Sequence, residues 1–442
     1  MRTPISDFIR EYLTRGATKL HMPGHKGRFG ADFYSHDITE IEGADVLYSP
    51  TGIIKESEEL CASLFGTART LYSTEGSSLA IRGMLALVSS YAKKRGQTPR
   101  IIAARNAHKT VLGAVALLGI SVEWLPSANL VSAEIDCDTL TKTLARVKPH
   151  ALLVTSPDYL GHVLDVKRLA EICHGAGVLL LVDNAHGAYL KFMPRDTHPI
   201  TLGADLCCDS AHKTLPVLTG GAYLHISKNA PADFTAEADD AMALFASTSP
   251  SYLILESLDS ALPLLAGDFS SMLARTAQLA CGVKKRLSDG GYTVLDGEAM
   301  KITLAPKGYG YLGEELGKML AERGFVPEFC DRDFLVLMVS PFNTEEELLS
   351  LCDTLLLIKR REKITETPPK MRTPERVCEV KDALLCPYET VSVTDAIGRT
   401  AVSEQVLCPP AVSVLLPGER IGESAVKAML YYGIKSVRVM KK

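Results

Sequence analysis

The chain has 442 residues, 46% of them hydrophobic and 23% charged, with a formal net charge of −4. That length allows two or three domains with large cores, and the balance fits a globular protein without a general nucleic-acid surface. No charge-free apolar run approaches the ~20 residues of a membrane span, and residues 1–7 lack the apolar core of a signal peptide, so a cytoplasmic location is expected. The eleven cysteines are odd in number and contain no Cys-x-x-Cys pair. This argues against a disulfide framework or a structural zinc site. No His-Glu-x-x-His spacing is present either, so no catalytic metal is expected. All eleven histidines fall at or before His225, which places the chemistry in the first half.

Residues 1–45 read as an arm: positions 7–13 have helical spacing, and then Gly16, Pro23, Gly24, Gly27 and Gly30 break the chain. His21-Met22-Pro23-Gly24-His25-Lys26 has neither P-loop spacing nor a preceding strand. A helix is expected over 53–65, stopped by Gly66. Gly76-Ser77-Ser78 then opens a second helix, carried by Leu79, Ile81, Met84, Leu85, Leu87 and Val88. Such a turn leaves backbone N–H groups and a positive dipole end facing outward, which suits a phosphate. An isolated Gly-Ser-Ser is equally an ordinary helix cap.

Positions 100–105 read as a strand, and Asn106-Ala107-His108-Lys109-Thr110 caps a helix to about Gly119. Strands follow at 121–125 and 151–154, the second leading into the loop Thr155-Ser156-Pro157-Asp158-Tyr159-Leu160-Gly161. Asp165 caps a helix over 166–174, stopped by Gly175 and Gly177. The run 178–182 is wholly apolar and ends on Asp183, as a buried parallel strand delivering a carboxylate to its C-terminal end would. Leu206-Cys207-Cys208 repeats the pattern before Ser210-Ala211-His212-Lys213-Thr214. This alternation from about 70 to 230 predicts an α/β fold with a doubly wound, mostly parallel sheet, which binds ligands at the carboxyl edge. Ser247-Thr248-Ser249-Pro250-Ser251-Tyr252 opens a long helical stretch from 253 to about 287. Residues 290–360 suggest a smaller α/β unit, and 363–370 have the composition of a linker. The expected division is therefore 1–45, 46–235, 236–365 and 366–442.

Asp183 and Lys213 are the two protein groups that pyridoxal phosphate needs. A carboxylate keeps the pyridine nitrogen protonated, and a partly desolvated lysine holds the aldehyde as an imine. Around them, Ser210-Ala211-His212-Lys213-Thr214-Leu215-Pro216, Asp183-Asn184-Ala185-His186-Gly187-Ala188 and Thr248-Ser249-Pro250-Ser251-Tyr252 resemble the Orn/Lys/Arg decarboxylase family in its short form, without an N-terminal regulatory domain. The resemblance covers nearly the whole chain. It implies a fold-type-I, three-layer pyridoxal-phosphate enzyme that decarboxylates arginine, lysine or ornithine to a polyamine precursor and acts as a homodimer with shared active sites.

It also implies the following roles. Gly76, Ser77 and Ser78 form the phosphate turn, with Ser210 and His212 on the same phosphate. His108 stacks on one face of the ring and Ala185 packs under the other. His186 stands where some relatives have a large aromatic and faces the substrate. Thr248 reaches the phosphate of the neighbouring subunit. Lys213 or His212 returns the proton to the product carbon. The chain departs from the family at Glu75, where an amide is frequent, and at Asp158, where a neutral residue is usual. It keeps Pro409-Pro410 and Pro417-Gly418-Glu419 but loses the glycine that follows the paired prolines. A fold-type-I aminotransferase or carbon–carbon lyase would use the same Lys213 and Asp183, and a non-catalytic relative regulating a decarboxylase is a further alternative.

Overall fold

A computed structural model describes residues 1–127, 130–132, 134–403 and 412–441. Its centre is a seven-stranded sheet in the order β1-β7-β6-β5-β4-β2-β3. The strands are β1 (Arg69–Ser73), β2 (Arg100–Ala103), β3 (Ser121–Trp124), β4 (Ala151–Thr155), β5 (Leu179–Asp183), β6 (Leu206–Asp209) and β7 (Ala222–Ile226). Only β7 runs against its neighbours, pairing antiparallel with β1 and β6. All the other strand ends therefore point to one edge.

Strand alternation sorts the core into layers. On β5, Leu181 joins Ile101, Leu153 and Leu206 under α3 (Gly76–Lys94) and α4 (Lys109–Leu118). Leu180 and Val182 join Ile102 and Leu152 on the opposite face, against α5 (Cys137–Val147) and α6 (Val166–Gly175). A third cluster around Phe65, Tyr72 and Tyr223 packs α1 (Pro4–Thr14) and α2 (Ile53–Phe65) against the sheet. A strand buried on both faces cannot show polar alternation, which is why 178–182 read as a continuous apolar run.

The expected single helical stretch from 253 to about 287 is two helices, α9 (Tyr252–Ala266) and α10 (Phe269–Asp289), following α7 (Ala211–Thr214) and α8 (Asp233–Ala243). The apolar period runs through both: Leu255, Leu258, Leu262 and Leu265, then Phe269 and Leu273, are all buried. The break falls at Gly267, a residue that destabilises helix interiors, four positions after Pro263.

A three-stranded antiparallel sheet, β8 (Lys301–Leu304), β10 (Leu335–Met338) and β9 (Phe329–Cys330), follows with its own core. The helix Glu345–Leu356 of this unit starts with a capping box from Thr344 and Glu347. The C-terminal module holds the hairpin β11 (Tyr388–Ser392) and β12 (Ser436–Met440) against the helix Glu423–Tyr431. Of the paired-proline stretch, Cys408, Pro409, Pro410 and Ala411 lie outside the described residues.

That module is pinned to the large sheet by a buried ion pair. Arg105, just past β2, donates from Nη2 to Glu419 Oε2 at 2.9 Å and to the Ser413 carbonyl at 3.2 Å, while the Leu416 N–H donates to Glu419 at 2.8 Å. Both side chains are only 3% exposed. Removing one member would leave a buried charge unpaired, at a cost of about 3–5 kcal/mol.

Candidate active site

Asp183 ends β5 and pairs in register with Cys208 of β6, so the aspartate and the Ser210–Lys213 turn emerge side by side. Asp183 Oδ1 accepts the Ala185 N–H at 3.2 Å and the Cys208 thiol at 3.5 Å. No described residue donates to Oδ2, which leaves one carboxylate oxygen for a protonated ring nitrogen. Gly187 is required by space: a Cβ there would lie 2.0 Å from Asn184 Oδ1 and 2.7 Å from Pro157 Cδ.

Lys213 Nζ lies 3.0 Å from His186 Nε2. Burial pushes the Lys213 ammonium below its ordinary value, against the opposing pull of Asp183 and Glu328. Burial, then the charges of Lys301 and Lys213, push His186 well below the usual imidazole range. Desolvation that disfavours the ammonium favours the free, nucleophilic amine.

The Gly76–Ser78 turn is tied to its neighbours by hydroxyl contacts. Ser210 Oγ donates to Ser77 Oγ at 2.7 Å, and Thr110 Oγ1 donates to Ser78 Oγ at 3.1 Å. Thr110 in turn lies 2.9 Å from His108 Nδ1, and His108 caps α4. Burial lowers His108, with Asp183 raising it and Lys213 lowering it, so the three groups act on one another. Gly76 has φ +71°, and nothing lies within 4 Å of a Cβ built there. The His212 N–H and Nδ1 both bond the Gly221 carbonyl, at 3.1 and 3.0 Å, which leaves Nε2 as the free ring nitrogen. A nucleophilic amine, a carboxylate with a spare oxygen, and a hydroxyl-lined helix N-terminus are the donor set that pyridoxal phosphate requires, and these residues fit it.

The two departures are explained by geometry. Glu75 accepts the Ser247 N–H at 2.8 Å, so its carboxylate clips the Ser247–Ser249 turn. Asp158 accepts the His162 N–H at 2.9 Å and lies 2.8 Å from His162 Nδ1, closing its own loop. Thr248 sits in an exposed turn of its own chain.

Three site residues escaped the sequence reading. Tyr159 packs edge-on to His186, 5.0 Å between centroids, and its hydroxyl donates to Glu328 Oε1 at 2.7 Å. Lys301 is 2% exposed and donates to the Asp158 carbonyl at 2.8 Å, with Glu298 at 3.7 Å. Glu328 and Lys301 come from the small sheet, about 170 and 140 residues beyond the loop they meet, and no local pattern links them. The signal for Lys301 was a lone charge in the apolar strand Met300-Lys301-Ile302-Thr303-Leu304. For Glu328 there was none.

Over residues 3–306 the sequence matches the family described as Orn/Lys/Arg decarboxylase, major domain, and over 363–438 the C-terminal domain of that family. An arginine decarboxylase of Halalkalibacterium halodurans is 29% identical, covering 96% of this chain and 92% of that protein. An arginine decarboxylase of Bacillus subtilis is 27% identical over 96% of this chain and 92% of its own length. Among solved structures, lysine decarboxylase A from Pseudomonas aeruginosa shares the fold with a TM-score of 0.83 at 18% identity, covering 99% of this chain and 80% of that one.

Proposed function

The chain belongs to the Orn/Lys/Arg decarboxylase family and is a basic amino-acid decarboxylase, and we propose that it acts on arginine, with pyridoxal phosphate held by Lys213 and Asp183. The observation that carries this reading is the juxtaposition of a desolvated Lys213 with His186 at 3.0 Å and with the strand-end carboxylate of Asp183. Arginine is favoured over lysine and ornithine because the whole-length relatives above are arginine decarboxylases.

When bound, pyridoxal phosphate supplies an electron sink for the pair released as a bond to the substrate's Cα breaks. Asp183 Oδ2 would hold the ring nitrogen's proton, and His108 and Ala185 would flank the ring. Ser77, Ser78, Ser210 and His212 would hold the phosphate beside the backbone N–H groups opened by Gly76. Lys213 Nζ, with His186 Nε2 beside it, holds the proton that returns to Cα. Glu328, oriented by the Tyr159 hydroxyl, faces the distal guanidinium. A carboxylate is the group a guanidinium pairs with best, through parallel N–H···O bonds. The product is agmatine with carbon dioxide.

A homodimer completes the site in this reading. Support comes from Thr248, exposed on its own chain, and from the exposed Leu20, Met22, Phe29 and Phe33 of the N-terminal arm. We place the protein in the cytoplasm: no helix among the described residues is long and apolar enough to cross a membrane, and the ten described cysteines are free thiols.

The test is carbon dioxide release from 1-labelled arginine, lysine and ornithine, assayed separately with pyridoxal phosphate and repeated with Lys213→Ala. Release from arginine alone that vanishes in the variant supports the reading. Release from lysine or ornithine instead overturns the specificity, and formation of a 2-oxo acid without carbon dioxide overturns the reaction.

A further inference from the structure

Beneath the strand ends that carry Asp183 and Lys213 lies a side-chain network that the reaction above does not use. Its centre is Asp209, the last residue of β6, which is fully buried. Oδ2 accepts from His198 Nε2 at 3.0 Å and from His225 Nε2 at 3.2 Å. Oδ1 accepts from Asn184 Nδ2 at 2.6 Å and from the Cys207 thiol at 3.6 Å. We propose that Asp209, held by His198 and His225, is a positioning residue that fixes the spacing between Asp183 and Lys213.

The two ends of the network adjoin the two groups in question. Asn184 directly follows Asp183, and Asp209 directly precedes the Ser210–Lys213 turn. The network also ties in β7 through His225 and β1 through Thr70, whose hydroxyl lies 2.8 Å from His225 Nδ1. Four strands of the sheet are thus cross-linked, from Asp209 at the edge where Lys213 emerges to the His225–Thr70 pair two positions further back along the strands. Backbone pairing alone does not do this, because Asp209 bonds sideways through its carboxylate.

The donor count follows from the geometry. His198 presents Nε2 to Asp209, and its Nδ1 lies 3.4 Å from the Ile200 backbone nitrogen. Burial pushes His225 below the usual imidazole range, against the pull of Asp209. Burial also opposes ionisation of Asp209, but its imidazole partners outweigh that and hold it below the usual carboxylate range. The hub is a buried carboxylate that takes three N–H donors and one thiol. Such an anion is tolerated only while every donor stays in place, which makes the arrangement rigid.

His198, Cys207 and Asp209 also have the donor types of a zinc site, with ligand atoms within 4.8 Å of one another. The hydrogen bonds argue against a metal. The carboxylate already takes four donors, and burial keeps the Cys207 thiol protonated.

The proposal rests on the reading of Lys213 and Asp183 as cofactor residues, and the experiment separates the two. Wild type, Asp209→Asn, His198→Gln, His198→Leu and Lys213→Ala are purified as full-length chains. Each is measured for pyridoxal phosphate affinity by spectroscopic titration of the apoprotein, for kcat and KM of carbon dioxide release, and for metal content. His198→Gln keeps an N–H donor at the position of Nε2, whereas His198→Leu removes it. Asp209→Asn and His198→Leu should lower kcat by about 10–100-fold and weaken the cofactor about tenfold, with KM changed little, as expected when reacting groups are misplaced by a fraction of an ångström. His198→Gln should stay within about threefold of wild type, as a retained donor implies. If Asp209→Asn fails to fold, the His198 pair still decides. Equal losses in His198→Gln and His198→Leu, wild-type cofactor affinity and kcat in Asp209→Asn, or one metal ion per chain would each overturn the proposal. Wild-type cofactor affinity in Lys213→Ala would overturn the underlying reading instead.

Discussion

The two sides of the pocket are built differently. The side proposed to hold the cofactor comes from strand ends of one sheet: Asp183, Ser210 to Lys213 and the Gly76 turn are each a short contiguous motif at the edge where parallel strands finish. The substrate side is assembled across units. Tyr159 lies in the loop after β4, while Glu328 and Lys301 reach it from the small sheet. The cofactor side is therefore fixed by local folding, and the substrate side by docking of one unit on another.

The contrast is broken most decisively at Lys213. Lys213→Ala should lower carbon dioxide release by roughly 10³-fold or more, as expected for loss of an activated nucleophile, while the thermal midpoint stays close to that of wild type. A variant retaining a tenth of the activity would remove Lys213 from the chemistry. The Arg105–Glu419 pair gives the next largest effect. Glu419→Ala should cost about 3–5 kcal/mol, read as a lower urea midpoint, because the Arg105 guanidinium stays buried and unpaired. A loss below about 1 kcal/mol would show that the pin yields to solvent.

On the substrate side, Glu328→Gln should raise KM for arginine by about 10–100-fold, the worth of one charged hydrogen bond, with kcat and cofactor affinity changed far less. An unchanged KM would mean that the small sheet does not hold the guanidinium.

The smallest effect is a pH slope on the cofactor side. Burial pushes Glu58, beneath β1, up to about 8, although the Tyr72 N–H and Arg69 pull it down. Its folded value lies above its unfolded one, so its contribution to stability is full below about 4.5 and is lost as pH rises through about 8. His186 and His225 act in the opposite sense, because their folded values are depressed. Their contribution is present above the unfolded imidazole value of about 6.5 and is lost as pH falls below it. In wild type the two trends offset each other. Glu58→Gln should therefore lose thermal stability more steeply than wild type between pH 7 and 5, by up to about 1.4 kcal/mol per pH unit. Parallel curves would show that Glu58 is ionised in the folded chain.

The same division governs what could be read from the chain alone. Asp183 and Lys213 were legible because a buried parallel strand announces its own end, and because small and hydroxyl residues crowd the turn that follows. The Gly76–Ser78 turn was legible as a helix start, which is where the structure begins α3. Glu75 and Asp158 were visible as departures, but their roles as loop clips needed the positions of the Ser247 and His162 N–H groups. The break at Gly267 was hidden because apolar spacing carries across it, and periodicity reports burial rather than helix continuity. Lys301 showed only as a lone charge in an apolar strand, and Glu328 and Asp209 with its two imidazoles gave no usable pattern, since their partners are distant in sequence or scattered over several strands.

Arg105 and Glu419 are 314 residues apart, and the first stands three positions before His108. During synthesis the large sheet emerges from the ribosome long before the carboxylate that neutralises its buried guanidinium. A chain cut short between Thr248 and Glu419 would thus carry every residue proposed to hold the cofactor and an unmatched charge at Arg105. The last sixth of the polypeptide acts as a completeness check on the large sheet, whose strand ends carry Asp183 and Lys213.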